Sequence, residues 1–126
     1  MKEVMAIIRM NKMNQTKKAL IEADISSMHA RECLGRGKGF MDFKVLKGAE
    51  QGYEEAIAQL GSSQRLIPKR MISIIVPETL VEQTVETIIS VNQTGKPGDG
   101  KIFVMPVSES IRIRTGETGE ETLDEA

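Results

Sequence analysis

The chain has 126 residues, 40% hydrophobic and 28% charged, which is enough for one compact domain and too little for two ordinary ones. A formal net charge of -1 gives no general attraction to nucleic acid or to an anionic membrane, so any anion site must be local. A lone cysteine, Cys33, excludes an intrachain disulfide and a cysteine-rich zinc site, and with no Trp, one Tyr and three Phe there are few platforms for stacking single-stranded bases.

Taken in chain order, Glu3 to Arg9 is apolar on both faces and predicts a buried central strand. The acid in its charged lead and the short apolar run argue against a signal peptide. No stretch approaches the roughly 20 apolar residues of a membrane span, so the expected place is the cytoplasm. Met13 to Asp24 predicts a helix, with Thr16, Ala19, Leu20 and Ala23 at helical spacing. A weaker strand covers Met28 to Leu34, and GRGKG, Gly35 to Gly39, then breaks regular structure.

Gly39 to Pro68 is too long for an ordinary connection, since loops beyond roughly 12–15 residues are usually functional or disordered. Its middle, GYEEAIAQL, puts Tyr53, Ile57 and Leu60 on one helical face suited to a partner; a polar loop is the plainer alternative. Arg70 to Val76 predicts the next strand. Pro77, Glu78 and Thr79 then suit the start of a helix running to about Asn92, with Val81, Thr84, Val85 and Ile88 as its apolar stripe and Gly95 as its stop. Ile102 to Val107 is the last strand.

The order is βαββαβ, an α+β ferredoxin-like sandwich in a single domain over 1–126, with two helices on one face of a four-stranded antiparallel sheet. Apolar residues on both faces of the strands at 4–8 and 71–76 predict that the helix-free face is buried against other subunits of a closed cyclic oligomer.

TGKPGDGK, Thr94 to Lys101, matches the glycines and lysine of a Walker A loop, but Ile102 stands where the magnesium-binding hydroxyl belongs and a strand follows where a helix should. The turn still suits an anion, because glycines let backbone N–H groups approach phosphate oxygens and Lys96 or Lys101 adds charge; the plain reading is a simple connection. In IRIRTG, strand alternation places Arg112 and Arg114 on one face, suiting a multiply charged anion. His29 is the sole histidine, Cys33 reads as a small half-buried thiol, and neither a catalytic constellation nor metal-ligand spacing is present.

Thr94 to Glu117, TGKPGDGKIFVMPVSESIRIRTGE, closely resembles the carboxy-terminal signature of the PII nitrogen-regulatory signal-transduction proteins. The likeness extends through AIIR, KKALIEADI, GRGKG, GAE and ISIIVPETLVEQTVETII. It implies a non-catalytic ferredoxin-like trimer with intersubunit nucleotide sites, a flexible T-loop over about 37–68 and a tail over about 109–126. By position, Gly98, Asp99, Gly100 and Lys101 would hold the phosphates of ATP or ADP. Arg36 from the loop base would join them, as would Arg112 and Arg114 from the same or a neighbouring subunit, with Ile7 and Ile75 lining the adenine pocket.

Magnesium would accompany ATP and 2-oxoglutarate. Lys69 matches a family lysine that pairs with 2-oxoglutarate, while Gly37 stands where the family carries a metal-binding Gln. Gln51 follows Gly48-Ala49-Glu50 and Tyr53 comes two residues late, so uridylylation is not expected. The lengthened loop resembles the nitrogenase-associated branch, whose members pair with a sister PII protein, so a homotrimer or a mixed oligomer acting on nitrogenase is implied. Control of an ammonium transporter or glutamine synthetase, a nucleotide-using transferase with Asp99 as base, and a structural trimer like the CutA-type relatives are the alternatives.

Overall fold

Strand β1, Lys2–Arg9, buries every second side chain: Val4, Ala6 and Ile8 are 0–2% exposed, the period of a strand with helices on one face. The computed structural model describes residues 1–25, 27–36 and 66–123, and in it β1 pairs antiparallel with β3, Ile67–Val76, in rows that include Val4 with Ile74 and Ala6 with Ile72. Strands β2, His29–Gly35, and β4, Lys101–Pro106, complete an antiparallel sheet of order β2-β3-β1-β4.

Helices α1, Met13–Glu22, and α2, Val81–Asn92, cover the face carrying Val4, Ala6 and Ile8. Leu20 and Ile88 reach the core fully buried beside Ile72 and Ile74, each contributing about 1.5–3 kcal/mol relative to exposure. The helices are also tied to each other, since Asn92 Nδ2 donates to Thr16 Oγ1 at 3.1 Å and to Ile88 O at 2.9 Å. This is the expected α+β ferredoxin-like arrangement.

Several boundaries differ from the expected ones. α1 stops at Glu22 because Asp24 takes a left-handed φ of 62°, which ends a helical run. β3 begins at Ile67 rather than Arg70, with Pro68 at its second position opposite Leu34, near a strand start, where a missing N–H is tolerated. A short 3-10 turn, Glu78–Leu80, separates Pro77 from α2. β4 is an apolar edge, with Phe103 41% and Val104 46% exposed.

Candidate functional site

After α2 the chain passes through Gln93 in extended conformation and turns from Thr94 to Gly100 into β4. Gly95, Gly98 and Gly100 have φ of 81°, 98° and 109°, values that L side chains rarely adopt. At Gly100 space forbids one as well: a Cβ there would stand 1.9 Å from Ile7 O. The turn therefore lies against the end of β1 as closely as backbone allows.

Asp99 holds this turn together. Its carboxylate accepts from Thr94 N at 2.8 Å, Gly95 N at 2.9 Å, Thr94 Oγ1 and Arg9 Nη1 at 2.7 Å. These donors, the Thr94 hydroxyl foremost, keep its carboxyl well below the usual carboxylate range. Arg9 Nη2 also donates to Pro97 O at 3.0 Å, and Lys69 Nζ donates to Gly98 O at 3.1 Å. Lys69 is buried, and burial together with the neighbouring Arg9 cation lowers its pKa, partly offset by Cys33 and Asp99.

With those carbonyls taken up by cations, the N–H groups of Gly98 and Asp99 meet no acceptor among the described residues. That suits an anion. Ile7, Asp99, Gly100 and Lys101, all expected nucleotide residues, line one cavity of about 330 Å³ whose other walls include Ile8, Val85, Ile88 and Ile102. Asp99 is poorly suited to the role of base, because a carboxylate satisfied by four donors has little affinity for a proton. It is equally unsuited to hold magnesium. Among the described residues no group of three or more His, Cys, Asp or Glu could bind a metal, so they do not fit a protein-held magnesium.

The other expected residues divide between the two ends of the sheet. Arg36 follows β2 at the end where Cys33, Lys69 and Arg9 adjoin, the same end as the glycine turn. Ile75 lies opposite Glu3 whereas Ile7 lies opposite Met71, so the two isoleucines share a face but stand about 13 Å apart at 3.3–3.4 Å per residue. Arg112 and Arg114 belong to the Met1 end, where Val107 N donates to Met1 O and the Met1 amine pairs with Glu120.

IRIRTG is not a strand. Ile111 makes one isolated bridge with Thr118, and between them Gly116 N donates to Arg112 O at 2.7 Å with Gly116 at φ 75°. The tight turn wins over alternation because the glycine supplies a left-handed residue. Arg112 is half-buried, with Nη1 3.1 Å from Glu117 Oε2 and Nη2 donating to Glu121 O, whereas Arg114 is exposed and Ile113 is 98% exposed. Gly37, Tyr53, Ile57 and Leu60 lie outside the described residues.

Sequence reasoning missed Arg9 and Thr94, which fix the turn. Arg9 is 90 residues from Asp99, and nothing local announces the pairing; a threonine opening a turn that contains an aspartate was the one readable signal.

The family model described as "Nitrogen regulatory protein P-II" matches residues 1–117. The chain is 44% identical over 123 residues to "Nitrogen fixation nifHD region GlnB-like protein 2" of Methanobacterium ivanovii, covering 98% of this chain and 99% of that one. It is 37% identical over 123 residues to "Nitrogen regulatory protein P-II" of Cereibacter sphaeroides, covering 98% and 100%. The crystal structure of Arabidopsis thaliana PII bound to citrate matches with a TM-score of 0.72 at 30% identity, over 99% of this chain and 91% of that one. The chain therefore belongs to the PII family of nitrogen regulatory proteins.

Proposed function

We propose that this PII protein is a cytoplasmic trimeric sensor that binds ATP and ADP in sites split between neighbouring subunits and passes their state to nitrogenase through the loop over about 37–68. One observation carries the reading: the turn from Thr94 to Gly100 has its Pro97 and Gly98 carbonyls and its Asp99 carboxylate engaged within the protein, leaving the Gly98 and Asp99 amides for an anion. The expected phosphate and adenine residues form two half-sites, Ile7, Arg36 and Gly98–Lys101 at one end of β1 and Ile75, Arg112 and Arg114 at the other. These ends are roughly 24 Å apart for an eight-residue strand. A ring that joins one copy's first half to the next copy's second half completes every site, and the apolar β4 edge supports such contacts.

The names of the nifHD-region relatives support nitrogenase as the target, and the numeral 2 in them supports a sister protein in a mixed ring. Lys69, an ammonium with three N–H donors of which one goes to Gly98 O, is suited to a carboxylate such as that of 2-oxoglutarate, and magnesium would arrive with the nucleotide. The transferase alternative is weakened by Asp99, the candidate base of that reading, whose carboxylate is fully engaged. Calorimetric titration with ATP and ADP should show binding of both, weakened by about 1.5–3 kcal/mol in Arg112→Ala; wild-type protein that bound neither would refute the reading. Recovery of an ammonium transporter or glutamine synthetase instead of nitrogenase in a pull-down with intact protein would redirect the target.

A further inference from the structure

Arg9 and Lys69 are direct partners at the end of the β1–β3 ladder. Like charges placed opposite one another repel, and Lys69 is only 7% exposed, so the pair costs stability that the apolar rows of the same strands do not demand. Each cation gives a donor to one short stretch of backbone. Arg9 Nη2 takes Pro97 O at 3.0 Å and Lys69 Nζ takes Gly98 O at 3.1 Å, while Arg9 Nη1 is fixed by Asp99 at 2.7 Å.

The Pro97 carbonyl shares its peptide plane with the Gly98 N–H, and the Gly98 carbonyl with the Asp99 N–H. In a trans peptide C=O and N–H point in opposite directions, so each cation that draws a carbonyl toward itself turns the matching N–H away, where it meets no protein acceptor among the described residues. A cation on the oxygen also polarises the whole amide and strengthens its N–H as a donor. Asp99 meanwhile screens the Arg9 charge.

We propose that Arg9 and Lys69 are positioning residues that hold and polarise the Pro97–Gly98 and Gly98–Asp99 peptides, so that two adjacent amides are presented to a nucleotide phosphate which neither cation touches. This rests on the nucleotide reading above and deepens it. It also gives Lys69 a role in nucleotide binding that needs no second ligand.

The test is titration of ADP and ATP, without any dicarboxylate, into wild type, Arg9→Met, Lys69→Met, Lys69→Arg and Asp99→Asn, with the amide spectrum recorded for each. Arg9→Met and Lys69→Met should weaken binding about tenfold, as loss of one charge-assisted hydrogen bond does, and Lys69→Arg should stay within about threefold of wild type. Asp99→Asn decides between mechanisms. Simple attraction predicts tighter binding once a negative charge beside the phosphate is removed, whereas the latch predicts weaker binding because Arg9 loses its anchor. In the unliganded spectra Arg9→Met should shift the Gly98 amide most and Lys69→Met the Asp99 amide most, a pairing that general loss of stability does not produce. Arg9→Met and Lys69→Met binding like wild type, or Asp99→Asn binding more tightly, would overturn the proposal alone; wild type that bound neither nucleotide would overturn the nucleotide reading and this proposal with it. If Lys69→Met does not fold, Asp99→Asn and the Gly98 shift in Arg9→Met decide by the same criteria.

Discussion

Asp99 sits in a glycine-rich string that reads as a phosphate loop, yet its side chain is spent on the loop itself. The chemistry is that of a carboxylate with several donors, which favour the charged form over the protonated one. Its carboxyl lies below the ordinary value of 3.8 in the folded protein, so it contributes stability that is fully present above that pH and is lost as pH falls through the lower folded value. Urea unfolding should accordingly find Asp99→Asn less stable than wild type at about pH 7, with the gap beginning to narrow only below about pH 4. A gap independent of pH would mean that the carboxylate's charge contributes nothing. Lys69 has a slope of the same sign in a higher window: its pKa is lowered from 10.5, so its contribution likewise becomes more favourable as pH rises from the folded value toward that figure.

At the level of elements, the helices are held by what they bury. Ile88 is 1% exposed against the sheet, whereas Ile113, of the same residue type, is 98% exposed. Ile88→Ala should therefore cost about 2–5 kcal/mol in denaturant unfolding, and Ile113→Ala should stay within about 0.5 kcal/mol for folding of the chain. The helical spacing of Thr84, Val85 and Ile88 and the apolar runs of β1 and β3 are properties of neighbouring residues, which is why the βαββαβ order was legible in the sequence. IRIRTG alternated just as cleanly and misled, because Gly116 and the Arg112–Glu117 pairing close a turn there. A period of two over four residues carries little weight against a glycine at positive φ. In the site, the glycine turn was readable from its composition. Arg9 was not, since its partner is set by the end of a β ladder rather than by any local pattern.

Across the whole molecule, the proposed division of the candidate site between copies would make binding a property of the ring. Lys101 belongs to the half-site at the Arg9 end and Arg112 to the half-site at the Met1 end, so Lys101→Ala and Arg112→Ala each disable one half of every site in a uniform ring. A mixed ring differs. Where the intact first half of an Arg112→Ala subunit meets the intact second half of a Lys101→Ala subunit, a complete site is restored. Random mixing of equal amounts restores about one site in four. Co-expression of the two weak-binding variants should therefore recover measurable ATP binding at close to wild-type affinity with about a quarter of the stoichiometry, in particles whose mass is a multiple of the 13.9 kDa chain. If both halves came from one chain, every subunit would carry one defect and mixing would restore nothing. The recovered stoichiometry thus reads out whether one copy completes the site of the next.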